Sequence, residues 1–132
     1  MSKLLCTCGH TIRDNTSPLP YKAAFLKNVD CEPFSDWLVG EVQSYVTAAE
    51  RGELHQWLLG RGYSEDYIAL GLDHGNVLHD HIHARFIALR RTAYECPVCG
   101  RLHLEAAKHN LFVTYTADSQ DEKGVFSGKS EE

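Results

Sequence analysis

Two close-spaced cysteine pairs constrain this chain more than any other feature: Cys6-Thr7-Cys8-Gly9 near one end and Cys96-Pro97-Val98-Cys99-Gly100 near the other. Each sits where the flanking residues read as a hairpin, and each is half of a tetrahedral sulfur shell. Zinc accepts four thiolates without redox activity, so Cys6, Cys8, Cys96 and Cys99 are the expected ligands of one structural Zn²⁺ per chain. Gly9 and Gly100 follow the second cysteine of each pair and permit the left-handed turn that aims backbone N–H groups at thiolate sulfur. The spacing is looser than a compact finger: the first pair is Cys-x-Cys, and 87 residues separate Cys8 from Cys96. The alternative is a pair of ordinary reduced thiols at each hairpin.

A closed sulfur shell leaves zinc no position for water or substrate, so the ion would staple the chain ends and do no chemistry. The fold class expected is α+β: a split zinc ribbon of antiparallel hairpins from both ends, with a helical segment inserted at about residues 30–91 of a single 1–116 domain. Residues 117–132, ADSQDEKGVFSGKSEE, are polar and acidic and read as a disordered tail.

At 132 residues the chain suits one domain with a modest core. No apolar run approaches the 18 or so residues of a membrane span, and the opening MSKLLCTCGH turns polar after two leucines, so the expected compartment is the cytoplasm. Five cysteines, an odd number, fit metal thiolates in a reducing compartment better than a disulfide framework. Cys31 is left over and reads as a small buried hydrophobe or an unremarkable thiol.

The formal charge of −5 is unevenly spread. Residues 30–80 carry two Arg against ten Asp/Glu, whereas residues 1–29 and 81–117 each come to +3 and the tail from 118 comes to −3. That balance disfavours a general nucleic-acid binder, which presents a basic surface to phosphates.

Between the cysteine pairs, SKLLCTCGHTIR reads as a hairpin and NTSPLPYKAAFL as a loop. Pro33 suits the first turn of a helix that runs through Phe34, Leu38, Val42, Tyr45 and Ala49 to about Arg51. Glu53 to Leu59 predicts a shorter helix stopped by Gly60 and Gly62. Ser64 is the expected N-cap of the next, with Glu65 and Asp66 at the positive end of its dipole. The last helix is expected over about Asn76 to Arg91 with Leu78, Ile82, Phe86 and Leu89 as its buried stripe. A second hairpin, Tyr94 to Leu104, and a strand in NLFVTYT complete the pattern.

DHGNVLHDHIHARF holds His74, His79, His81 and His83. His79 and His83 stand one helical turn apart, the spacing of a histidine pair that grips zinc, but the His-Glu-x-x-His arrangement of metalloproteases is absent. The plainer expectation is four histidines on the helix surface or facing a partner, with His79 and His83 along the margin of the buried stripe and His81 away from it. His10 and His103 beside the hairpins read as solvent-facing. There is no phosphate-cradling glycine loop and no Gly-x-Ser-x-Gly elbow.

CTCG near the start, LPYKAAFL some ten residues later, and YECPVCGRLHLE followed by NLFVTYTAD near the end resemble a group of small bacterial split zinc-ribbon proteins, mostly without assigned activity. The resemblance covers both ends, about half the chain, and the helical middle matches nothing specific. Some ribbons of this general kind are similar to immunity proteins of bacterial polymorphic or type VI secretion toxins. The resemblance implies zinc on the same four cysteines and implies no catalytic residue.

The expected function is therefore a non-enzymatic protein-binding module, most concretely a cytoplasmic immunity protein that covers a cognate toxin, such as a nuclease with a basic cleft. The expected surface comprises Asp36, Glu41, Glu53, Glu65, Asp66 and Asp73, which speed encounter, with Trp57 and Tyr63 as aromatic anchors. Two alternatives stand: a nucleic-acid-associated or regulatory ribbon using Arg13, Lys22, Lys27, Arg90, Arg91 and Arg101, and a hydrolase built on the histidine cluster.

Overall fold

A computed structural model describes residues 3–119 and 124–126. The elements run β1 (Lys3–Leu5), β2 (Thr11–Arg13), β3 (Lys22–Phe25), α1 (Asn28–Glu50), α2 (Leu54–Gly60), α3 (Glu65–Ala69), α4 (His74–Leu89), β4 (Arg91–Glu95), β5 (Leu102–Glu105) and β6 (Phe112–Tyr115). This is an α+β protein whose antiparallel hairpins carry a four-cysteine cluster, a zinc-ribbon-like arrangement. The chain divides into two compact units, a ribbon unit of residues 1–26 with 90–132 and a helical unit of residues 27–89. Among the described residues no helix is long and apolar enough to cross a membrane.

In the ribbon unit β1 and β2 form one hairpin, and β3-β4-β5-β6 form a four-stranded antiparallel sheet in that order. Strand β3 corrects the expected loop: Lys22 lies opposite Tyr94 and Phe25 opposite Arg91. Its KAAF sequence has little intrinsic strand preference, and pairing with β4 overrides it. Cys6, Ile12, Tyr94 and Cys96 are buried together, with Leu4, Tyr21, Cys99 and Phe112 packed against them. Two of the four buried residues are thiols, so hydrocarbon contributes little here.

Three polar residues are also buried. Glu105 accepts the N–H of Thr92 at 2.9 Å and that of Asn110 at 3.1 Å, tying β4 and the β5–β6 turn to one carboxylate. Burial opposes its ionisation, but those two amides outweigh the cost and hold its pKa below the usual value. Glu95 is 2% exposed. One of its oxygens accepts the N–H of Gly124 at 2.9 Å and of Val125 at 2.8 Å. Within the tail expected to be disordered, this stretch meets the ribbon; residues 120–123 and 127–132 lie outside the described residues. His103, expected in solvent, is 2% exposed because β5 sets it between Tyr94 and Thr114. Its Nδ1 lies 2.8 Å from Thr114 Oγ1. Burial, with Arg101 nearby, lowers its pKa and keeps it neutral.

In the helical unit α1 begins before the expected start and carries Pro33 inside. A proline this close to the N-terminus removes one intrahelical bond, to Val29, so the helix tolerates it. Gly52 at φ 69° and Gly62 at φ 90° take the left-handed turns after α1 and α2. Ser64 caps α3 as expected, its Oγ accepting the Tyr67 N–H at 3.1 Å. Asp73 Oδ1 accepts the Asn76 N–H at 2.9 Å, which starts α4 at His74.

The core of this unit is Tyr45, Ala48, Trp57, Leu58 and Val77, with Leu54, Tyr63, Ile68 and Leu78 against it. Helix α4 therefore turns a face centred on Val77 toward that core, a rotation from the expected Leu78, Ile82, Phe86 and Leu89 stripe. The cause is hydrogen bonding: His74 Nδ1 lies 2.7 Å from Tyr45 Oη, and His81 Nδ1 lies 2.7 Å from Tyr63 Oη. His81 thus fills an inward position, its side chain 12% exposed, whereas His74 bonds Tyr45 from the exposed start of the helix.

Candidate metal centre

The turn after β1 holds Cys6 and Cys8, and the turn after β4 holds Cys96 and Cys99. Gly9 takes φ 98° and Gly100 φ 78°, which glycine adopts without a Cβ clash. The Cys6 N–H reaches the His10 carbonyl at 2.9 Å and the Cys96 N–H the Arg101 carbonyl at 2.8 Å, closing both turns. The two turns then present their sulfurs to one point. All four Sγ atoms lie within 4.8 Å of one another.

Cys6 Sγ lies 3.6 Å from Cys99 Sγ, and Cys8 Sγ lies 3.6 Å from Cys96 Sγ. A disulfide requires about 2.05 Å, and all five cysteines are free. Four sulfurs at about 2.3 Å from a central ion stand about 3.8 Å apart at tetrahedral angles, so these separations fit a tetrahedral site. Four clustered thiols could thus hold a metal ion such as zinc, with no coordination position left over.

The shell around the sulfurs agrees. Burial raises the Cys96 thiol pKa, although the N–H groups of Cys99 and Val98 point at its sulfur and work the other way. Burial also opposes ionisation at Cys99, but its sulfur receives the Arg101 backbone N–H and side chain, and its pKa falls. Cys6 and Cys96 are 2% and 1% exposed, while Cys8 is exposed, so the cluster is half inside the ribbon and half at its rim. Nearby, Asp14 is bonded by Lys22 Nζ at 2.6 Å and by the Tyr94 hydroxyl. Burial works against its charge, and these two donors more than offset that, leaving its pKa lowered.

The other candidate residues do not form a second site. His81 is enclosed: Nε2 lies 2.8 Å from Glu41 Oε1, and the rings of Trp37, Trp57 and Tyr63 lie 5.4, 5.2 and 5.7 Å away. This corrects its expected placement away from the buried side. His79 and His83 are exposed and stack at 5.3 Å. Among the described residues the four cysteines are the one group of three or more ligating side chains within reach of a single ion. Cys31 is exposed, its thiol 3.4 Å from the Lys27 carbonyl, which corrects the buried-hydrophobe reading.

The acidic and aromatic surface candidates separate into two sets. Asp36, Glu53 and Asp66 are exposed, Asp73 is exposed while bonding Asn76, and Glu65 lies 2.9 Å from His55. Trp57 is 8% exposed, its N–H donating to Ser44 Oγ at 2.8 Å, and Tyr63 is half-buried against His81. Those two rings build the core. Glu41 is taken inward by Arg61, at 3.0 Å, and by His81. Arg61 is the larger influence that lowers the Glu41 pKa, against burial. Sequence reasoning missed Glu95 and the inward His81, for which the sequence carries no period or motif.

The fold and site define an α+β, zinc-ribbon-like protein with a four-cysteine cluster that could hold a metal ion. The chain belongs to the DUF8617 family, a domain of unknown function whose model matches residues 2–119. No curated protein and no solved structure matches it.

Proposed function

We propose that this chain is a non-enzymatic protein-binding module held together by one structural Zn²⁺, and in its most concrete form a cytoplasmic immunity protein that neutralises a cognate bacterial toxin. The helical unit is the working surface, and the partner is basic, as the substrate cleft of a nuclease is. The observation that carries this reading is the charge of the helical unit. Residues 27–89 hold ten Asp/Glu against four Lys/Arg. Three of those cations are engaged within the unit: Arg61 by Glu41, Lys27 by Asp30 at 3.7 Å, and Arg85 over the Trp37 ring at 5.5 Å. The exposed carboxylates of Asp36, Glu53 and Asp66 are then left to face a cationic partner and accelerate its approach, with Glu65 beside them on His55.

The alternatives draw less support. A nucleic-acid ribbon needs free cations, yet Lys22 is spent on Asp14 and Arg101 on the Cys99 sulfur. A hydrolase needs an open metal position, which four thiolates do not leave, and His74 and His81 are bonded elsewhere.

Co-expression of the full chain with the product of the neighbouring gene tests the proposal. The expected result is a complex that weakens as salt rises and that protects cells from that product. A zinc-loaded, folded chain that binds no such product and protects no cell contradicts it.

A further inference from the structure

The amino-terminal half of α1 and the middle of α4 enclose a groove of about 380 Å³, lined by Phe34, Ile82 and Phe86 with His79 and His83. We propose that this groove receives an apolar side-chain cluster of the partner protein, carried on a segment flanked by lysine or arginine. The inference rests on the protein-binding reading above and locates its anchor.

The core of the helical unit closes around Tyr45, Trp57 and Val77, and the residues that line the groove lie outside that cluster. Phe34 lies 6.2 Å from the Phe86 ring, and these two rings form the apolar floor, with Trp37 stacked behind Phe34 at 6.0 Å. Phe34, Ile82 and Phe86 are large apolar side chains, and all three are only half-buried. His79 and His83 stack with their planes 14° apart, giving the groove a flat wall. Ile87, one turn beyond His83, is 43% exposed and extends the strip. An apolar concavity with an aromatic floor is the form in which protein interfaces receive anchor side chains.

Charge selects the occupant. Two of the helical unit's cations, Lys27 and Arg85, are paired with Asp30 and with the face of Trp37. The surrounding unit keeps its excess of carboxylates, so a segment with basic flanks is attracted and one with acidic flanks repelled. A second copy of this chain would bring the same net charge of −5 and meet that repulsion.

The probe is a synthetic helical peptide with leucines on one face and lysines elsewhere, titrated into the full zinc-loaded chain. Two control peptides replace Leu by Ser or Lys by Glu. The Leu/Lys peptide is expected to shift the NMR signals of the Ile82 methyls and the Phe34 and Phe86 rings. Both controls should bind at least tenfold more weakly. Ile82→Ser and Phe86→Ser, each checked for unchanged helical circular dichroism, should lose at least tenfold in affinity. Val39→Ser, at a position 67% exposed on α1, should lose nothing. Mapping on the unmodified chain decides the matter even if a groove variant does not fold. Shifts confined to other residues, or equal binding of the Ser/Lys peptide, overturn the inference, as does a concentration-dependent dimer abolished by Ile82→Ser. A co-expressed partner that binds the folded groove variants as tightly as the parent overturns the groove alone; one that never binds the parent overturns the protein-binding reading as well.

Discussion

The ribbon unit buries Ile12 and Tyr94 beside two cysteines, whereas the helical unit buries Tyr45, Ala48, Trp57, Leu58 and Val77 around hydrogen-bonded histidines. Neither set is large for the chain it must order, because small cores offset little of the conformational entropy lost on folding. The two units make up the difference by different chemistry. In the ribbon, four thiols from turns 88 to 93 residues apart in sequence meet at one point, where a metal ion could substitute for hydrocarbon. In the helices, Tyr45–His74, Tyr63–His81–Glu41 and Tyr67–Asp80 supply neutral and charged bonds between packed aromatics. The Tyr67 hydroxyl donates to Asp80 at 2.9 Å; burial, followed by that carboxylate, pushes its pKa up to about 12 and holds it in the donor form. One unit should answer to chelators and the other to loss of individual side chains.

The largest expected effect tests that division. Cys96→Ser should abolish tight metal binding, removing on the order of 10 kcal/mol of binding free energy from the folded ribbon. Strand amides of β1, β2, β4 and β5 should then lose hydrogen-exchange protection together, while the helical circular dichroism largely persists. Collapse of the helices in the same step would erase the distinction between the units.

His81→Ala is the counterpart in the helical unit. It leaves Glu41 short of a partner, Tyr63 without its acceptor or donor, and a void among Trp37, Trp57 and Tyr63. The expected loss is about 3 kcal/mol, read as a lower midpoint of helical unfolding in denaturant, with metal content unchanged.

Acid should sharpen the comparison further. Glu41 has a folded pKa below its ordinary 4.5, chiefly through Arg61, so its contribution is complete above about that pH and fades as pH falls through the lower folded value. Glu41→Gln should flatten this part of the helical unit's acid transition. In the ribbon, Asp14 and Glu105 follow the same sign, and protons there also compete with metal for the thiolates. Its acid loss should therefore be steeper, and addition of free zinc should shift it to lower pH without moving the helical transition.

The smallest effect concerns the tail. Glu95→Ala removes the acceptor for the Gly124 and Val125 amides, at a cost of about 1–3 kcal/mol to the ribbon. Faster proteolytic cleavage around residue 124 would reveal it, and an unchanged cleavage rate would show that this carboxylate does not hold the tail.

These contrasts also explain which parts of the molecule the sequence discloses. The cysteine turns were legible because Cys-x-Cys-Gly and Cys-x-x-Cys-Gly encode both ligand and turn, and ligand chemistry leaves few alternatives. Ser64 and the helix boundaries near Gly52 and Gly62 were legible for the same local reasons. Strand β3 was hidden in Ala23-Ala24, whose state is set by its neighbour Ala93 across the ladder. The inward face of α4 was hidden because His81 counts as polar in any apolar period, and its tyrosine partner lies 18 residues away. Glu95 and Glu105 look like surface carboxylates until the amides that satisfy them are in place.

X-ray absorption at the metal edge of the purified full chain tests the central claim, that the four turn cysteines close on a single structural ion. The expected result is about one zinc per chain, with four sulfur neighbours at about 2.3 Å and no nitrogen or oxygen in the shell. A shell containing histidine nitrogen or water, or a chain whose ribbon is fully folded without metal and whose five thiols titrate freely, would contradict it.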